Sequence, residues 1–74
     1  MPTIKTGNLA HDNACAAAEI TRQAAVAGTP TQAQVTAADV AFYRTCRASA
    51  IANNNGVQAA EFSAALKALN VGVA

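Results

Sequence analysis

The segment from Asn8 to Gly28 has the sequence NLAHDNACAAAEITRQAAVAG, and it decides the fold class of this chain. Between Leu9 and Ala27 there is neither glycine nor proline, and the commonest residue is alanine, which has the highest helix propensity. Asn8 is a favourable N-cap, and Gly28 stands where a residue that ends a helix is expected. The segment therefore predicts a first helix over about residues 8–27.

This first helix has two faces of different chemistry when its residues are placed at about 100° intervals. We expect the apolar face to pack on the core and the polar face, including its thiol, to be solvated. The apolar face consists of Leu9, Ala16, Ile20, Ala24 and Ala27. The polar face consists of His11, Asp12, Cys15, Glu19, Arg22 and Gln23.

His11 and Cys15 are one helical turn apart, which is a spacing that can hold a metal ion or lower the pKa of a thiol. A zinc site needs three or four protein ligands, however, and the further donors would be Asp12 or Glu19, which no zinc motif contains at this spacing. Nothing in the sequence nominates an oxyanion hole for a Cys-His nucleophile. We therefore predict no catalytic residue, no metal and no cofactor.

Two start signals compete for the second helix. Thr29-Pro30-Thr31-Gln32 matches an N-cap followed by proline at the first helical position and a glutamine three residues on. Thr36 with Asp39 forms a second cap signal, and this later start, with the helix running from Ala37, is the one favoured. In both cases the helix ends near Ala52. Its apolar stripe consists of Val35, Phe42, Cys46 and Ala50, flanked by Ala38 and Tyr43.

Asn53 to Gly56 is typical of a turn, after which Asn55 caps a third helix over about Val57–Leu69 and Gln58 completes a capping box. The chain has no alternating β-branched segments, so it is predicted to be an all-α protein with three helices and short loops. The stripe of the third helix consists of Ala59, Phe62, Leu66 and Leu69, with Ala65 alongside. The predicted shared core consists of Phe42, Phe62, Leu66, Leu69 and Ile20.

The composition limits how large a core the chain can form. Of 74 residues, 39 are apolar, but 21 of these are alanine, whose methyl group buries little surface. We expect one small domain over residues 1–74, with flexible tails at 1–7 and 71–74. The formal net charge of +1 excludes a polybasic binder of nucleic acid or anionic membranes. Without a signal peptide or an apolar span, the expected location is cytoplasmic, with a virion as the other setting considered.

The two cysteines are 31 positions apart and form no zinc or redox motif. In a hairpin of the first two helices, Cys15 and Cys46 lie at similar distances from the connecting loop, which would allow a disulfide. Cys46 lies on the apolar stripe, whereas Cys15 lies on the polar face, so their Cβ atoms are expected to point apart. The pattern favours two unpaired thiols.

A thin core and a nearly neutral charge favour a non-enzymatic structural or interaction module that gains stability from protein partners. We expect copies of the same chain or a larger repetitive assembly to be those partners, and no membrane. On the second helix, Val40 and Ile51 flank two arginines on a face displaced from the core stripe. The predicted interface consists of Val40, Tyr43, Arg44, Arg47 and Ile51.

The alternative function is DNA binding, because residues 51–67 resemble a helix-turn-helix with Gly56 in its turn and Phe62 fixing its second helix. Asn55 stands where such a motif has an apolar residue, and the net charge limits affinity for phosphates. The predicted DNA contacts are Arg44, Arg47, Gln58, Ser63 and Lys67.

Overall fold

The computed structural model describes residues 6–73 and contains three α-helices joined by short loops. The helices are α1, Leu9–Ala25; α2, Gln32–Ala52; and α3, Gly56–Ala68. Both α1 and α3 pack against α2, which is the central element. No strand occurs within residues 6–73, and the predicted all-α, three-helix fold is confirmed.

The ends of α1 follow the predicted signals closely. The Asn8 side chain accepts a hydrogen bond from the backbone N–H of His11 at 3.1 Å, so Asn8 is the N-cap, as predicted. The helix ends at Ala25, two residues earlier than expected, and the backbone N–H of Val26 closes the last turn on the Arg22 carbonyl. Gly28 lies in the following loop with a φ of +83°, a conformation that glycine adopts without a steric penalty.

The second helix begins at Gln32, so the favoured start near Ala37 is wrong and the earlier one is closer. Thr31 is the N-cap: its hydroxyl accepts from the backbone N–H of Gln34, and the Gln34 side chain accepts in return from the backbone N–H of Thr31 at 2.8 Å. This reciprocal capping box satisfies two backbone donors at once. The helix ends at Ala52, as predicted.

Asn55 caps α3, and its side-chain oxygen accepts from the backbone N–H of Gln58 at 3.1 Å. The predicted capping box is not completed, because the backbone N–H of Asn55 donates to the Ala50 carbonyl at 2.8 Å instead of to the Gln58 side-chain oxygen. The helix starts and stops one residue before the predicted bounds. The cap therefore depends on Asn55 alone.

The core lies where the three helices meet. Cys15, Phe42, Cys46 and Phe62 form its central cluster, with Ala18 and Tyr43 packed against it. The predicted core residues Phe42, Phe62 and Leu66 are buried and Leu69 is half-buried, whereas Ile20 is 68% exposed. Ile20 was therefore wrongly placed in the core.

Residues 1–5 and Ala74 lie outside the described residues, as does most of the predicted N-terminal tail. The backbone N–H of Thr6 donates to the Asp12 carboxylate at 2.9 Å, and the Gly72 carbonyl accepts from Arg44 at 3.0 Å. Within the described part of the chain, none of the helices has the length and hydropathy needed to cross a lipid bilayer.

Candidate functional site

The first helix is oriented opposite to the sequence prediction. His11 is completely buried and Cys15 is 2% exposed, although both lie on the face that was expected to be solvated. Leu9, from the predicted apolar face, is 73% exposed. The residues of α1 that turn toward the rest of the protein follow a 4-3-4 spacing, which keeps them on one side of the helix. They are His11, Cys15, Ala18 and Arg22.

His11 is held by side chains from the other two helices. Its Nδ1 lies 2.8 Å from the Ser49 hydroxyl on α2, and its Nε2 lies 3.4 Å from Oε1 of Gln58 on α3. The Asn53 amide donates to the Ser49 backbone carbonyl at 2.8 Å and lies 3.4 Å from its hydroxyl. A buried polar group is costly unless it is hydrogen-bonded, and these partners meet that requirement. The polar face of α1 is buried because α2 and α3 supply complementary groups.

An imidazole that carries its proton on Nε2 satisfies both contacts of His11. The Nε2–H then donates to the Gln58 carbonyl oxygen, while Nδ1 accepts from the Ser49 hydroxyl. Because His11 has no exposed surface, it cannot contact a substrate in this conformation. The arrangement joins all three helices and is that of a structural hydrogen-bond cluster.

The two thiols lie beside this cluster, and both are free. The sulfur of Cys15 is 3.6 Å from Nε2 and 3.8 Å from Nδ1 of His11. Because it is nearly equidistant from the two nitrogens, it lies along the lone-pair direction of neither. Burial raises the pKa of the Cys15 thiol, and burial, together with contact with Cys15, raises that of Cys46. These are not the surroundings of an activated thiolate nucleophile.

A charged network holds the other end of α1 to α2. The Arg22 guanidinium donates two hydrogen bonds to the Glu19 carboxylate, at 2.8 and 2.7 Å, and lies 3.6 Å from Oδ1 of Asp39. The hydrogen bonds from Arg22 lower the pKa of Glu19, and those to Glu19 raise the pKa of Arg22. Asp39, which the sequence suggested as part of a helix cap, therefore faces α1 instead.

Nothing within residues 6–73 packs on the outer face of α1. We define it as the exposed residues on the side opposite His11 and Cys15. Every ionisable side chain of α1 is buried or half-buried, so the exposed residues of the helix carry no charge at all. The residues of the outer face are Leu9, Asn13, Ala16, Ala17, Ile20 and Ala24.

A shallow groove of about 280 Å³ runs between α1 and α2, beside the outer face. Phe42 lines it together with Arg22, and most of its other lining side chains are alanines. The alanines of the two helices leave this space because each contributes only a methyl group. The groove has few polar groups to orient a small molecule, which ligand pockets use for specificity.

The interface predicted on α2 is partly engaged within the chain. The Tyr43 ring lies 5.8 Å from the Phe42 ring and 6.3 Å from the Phe62 ring, and burial raises the pKa of its hydroxyl. Arg47 donates to the Ser63 hydroxyl at 2.9 Å, and Arg44 is the residue that binds the Gly72 carbonyl. Val40 is half-buried, and Ile51 is 53% exposed. These five residues thus do not form one free surface.

Four of the five predicted DNA-contact residues have hydrogen-bond partners inside the chain. Arg47 and Ser63 bind each other, Gln58 binds Glu61, and Arg44 binds the Gly72 carbonyl. Lys67 is exposed on α3. A recognition helix needs several side chains free to reach base edges, and α3 presents a single cation.

Among residues 6–73 no group of three His, Cys, Asp or Glu side chains is arranged to hold a metal ion. Comparison of the chain with family models, with curated proteins and with solved structures found no match.

Proposed function

We propose that this protein is a non-enzymatic helical interaction module that assembles with copies of itself through the outer face of α1. The observation that carries the proposal is the orientation of α1. The helix buries its histidine and half-buries its charged residues, and it exposes Leu9 and Ile20. Leu9, Ile20 and the alanines between them form an uncharged and mainly apolar face, and an exposed face of this kind on a small protein is typical of an interaction site.

The outer face is suited to a second copy because its two large apolar side chains, Leu9 and Ile20, are separated by the small residues Ala16 and Ala17. In an antiparallel pairing centred between Ala16 and Ala17, Leu9 lies opposite Ala24 of the second copy, and Ile20 lies opposite its Asn13. Leu9 then meets the methyl group of Ala24, and the alanines at the centre of the pairing let the two helices approach closely. A two-fold axis repeats every contact, so the same surface serves both copies.

The charges of the chain do not oppose this pairing. The outer face carries none, and the formal net charge is only +1, so two copies experience little electrostatic repulsion. Burial of Leu9 and Ile20 contributes about 25 cal/mol for each Å² of apolar surface removed from water. Because this driving force is not electrostatic, we expect the assembly to persist at high salt.

Sedimentation velocity over a range of protein concentrations tests the proposal. The wild-type protein is expected to sediment as a dimer or a larger species, and Ile20→Asp is expected to sediment as a monomer. Val57→Asp is the matched control, because Val57 is similarly exposed, at 71%, but lies on α3. It should sediment like the wild type. A wild-type protein that is monomeric at every concentration would disprove the proposal.

Ile51→Asp separates the outer face of α1 from the interface predicted on α2. If this substitution dissociates the assembly and Ile20→Asp does not, self-association takes place through α2 and the proposal for α1 is wrong. A monomeric wild-type protein that shifts DNA mobility in a strongly salt-dependent manner would favour the helix-turn-helix alternative instead.

A further inference from the structure

Cys15 and Cys46 lie on facing helices and belong to the same buried cluster, together with Phe42 and Phe62. The polar-face assignment of Cys15 predicted that the two Cβ atoms would point apart, but both cysteines face the α1–α2 interface. Ala18 packs against the cluster, and Ala50 in α2 is fully buried. Small neighbours allow the two backbones to approach closely, which a disulfide requires.

We propose that Cys15 and Cys46 are a latent disulfide pair, which a hydroperoxide oxidises to a covalent link between α1 and α2 within one chain. The fold already places the two thiols in one buried cluster, on helices that pack against each other. Oxidation therefore requires access for the oxidant and loss of the thiol protons.

Cys15 is the first sulfur to react, because it keeps a small exposed surface, whereas Cys46 has none. The reaction is slow, since burial raises the pKa of the Cys15 thiol. The Cys15 sulfur attacks one oxygen of hydrogen peroxide, the O–O bond breaks, and water leaves with the thiol proton. The product is a sulfenic acid. The Cys46 sulfur then attacks the Cys15 sulfur, and the S–OH bond breaks as a second water leaves with the Cys46 proton. Two thiols are oxidised and one peroxide is reduced to two waters.

The disulfide would fix α1 on α2 with the buried face of α1 turned inward. It would thus hold the outer face of α1 toward solvent without adding any new contact to it. This proposal does not depend on self-association, because it concerns the opposite side of the helix.

Equilibration of the full chain in glutathione redox buffers tests the pair, once under native conditions and once in concentrated guanidinium chloride. The fraction with an intrachain disulfide is measured by acid quenching, alkylation and mass spectrometry. Equilibrium must be reached from both the reduced and the oxidised protein, so that slow access to buried thiols does not affect the result. A disulfide that fits the native geometry raises the effective concentration of the two thiols by about tenfold or more over the unfolded chain. An effective concentration in the native protein that is equal to or lower than that in the unfolded chain would overturn the proposal.

A displaced pair provides the matched control. In Cys46→Ser with Ala48→Cys, the second thiol moves two residues along α2 to an exposed position on the opposite side of the helix. In this variant, folding should not raise the effective concentration of the two thiols. A rise equal to that of the wild type would show that the wild-type geometry is not specific. If the variant does not fold, the comparison of native and unfolded wild-type protein still decides the proposal.

Sulfenic acid trapping with dimedone tests the order of the two steps. After peroxide treatment, Cys46→Ser should carry a dimedone adduct on Cys15, because the sulfur that resolves the sulfenic acid is missing. Cys15→Ser should give less adduct on Cys46 under the same conditions. An adduct that forms faster on Cys46 would overturn the proposed order.

Discussion

Helices α1 and α3 both pack against α2, but they present opposite kinds of side chain to it. α3 buries Phe62 and Leu66, as its apolar stripe predicts. α1 buries His11 and Cys15 and exposes Leu9 and Ile20, which reverses its pattern. The comparison shows that a stripe of large apolar residues determines which face of a helix is buried only when no better partners are available for the other face.

The largest loss of stability is expected for a substitution in α3. Phe62→Ala removes a buried ring that lies 6.3 Å from both Phe42 and Tyr43, and it should lower the free energy of unfolding by about 3–5 kcal/mol. The equivalent change in α1, Ile20→Ala, should alter it by less than about 0.5 kcal/mol, because Ile20 is exposed. Guanidinium denaturation at dilute protein concentration measures both. Similar losses for the two variants would mean that α1 is not inverted.

The second effect concerns the hydrogen bonds that hold the polar face of α1. Ser49→Ala leaves Nδ1 of His11 buried without its partner, which should cost about 1–3 kcal/mol in the same denaturation experiment. Thr45→Ala is the control, because Thr45 is exposed on the same helix. If the two variants are equally stable, the His11 cluster contributes nothing to the orientation of α1.

The two cysteines should respond unequally to replacement by serine. Cys46→Ser places a hydroxyl at a completely buried position in the apolar cluster and should destabilise the protein by about 1–2 kcal/mol. Cys15→Ser should cost less, because Cys15 borders the polar His11 cluster and keeps a small exposed surface, whereas Cys46 has none. Thermal melts of the two variants check this order, and a larger loss for Cys15→Ser would contradict it.

The smallest effect is the pH dependence due to Asp12 at the start of α1. Hydrogen bonds from the backbone and hydroxyl of Thr6 lower the pKa of this carboxyl from its ordinary value of 3.8. Because the pKa is lower in the folded state than in the unfolded state, the stabilisation is present above the unfolded value and disappears as the pH falls through the folded one. Asp12→Asn should therefore weaken the acid dependence of stability below about pH 5, as acid titration of the melting temperature measures. An unchanged acid dependence would show that these hydrogen bonds do not persist in solution.

The two helices also show how far sequence reasoning extends. The caps at Asn8 and Asn55 and the buried stripe of α3 follow from local chemistry, because a cap depends on neighbouring residues and a large ring gains more by burial than its neighbours do. The earlier start of α2, near Pro30, is present in the sequence, but the cap signal at Thr36 is of similar strength, so neighbouring residues alone do not decide between the two. The cap signal at Thr36 requires Asp39 to act within its own helix, whereas in the fold Asp39 interacts with Arg22 of α1.

The buried face of α1 could not be derived in this way. His11 is buried because Ser49 and Gln58, which are 38 and 47 positions away, meet it in the fold. A helical projection of one segment contains no information about such partners. The regular spacing of His11, Cys15 and Arg22 was visible, but alone it did not distinguish a solvated face from a packed one.

Thiol reactivity of the native protein tests the orientation of α1 most directly. The protein is mixed with a water-soluble maleimide, and the labelled cysteine is identified by peptide mass spectrometry. Since Cys15 is 2% exposed and Cys46 is fully buried, neither thiol should be labelled promptly, whereas both should react in denaturant. Prompt labelling of Cys15 alone in the folded protein would show that its face of α1 is solvated, and would contradict both the buried His11 cluster and the exposed outer face of α1.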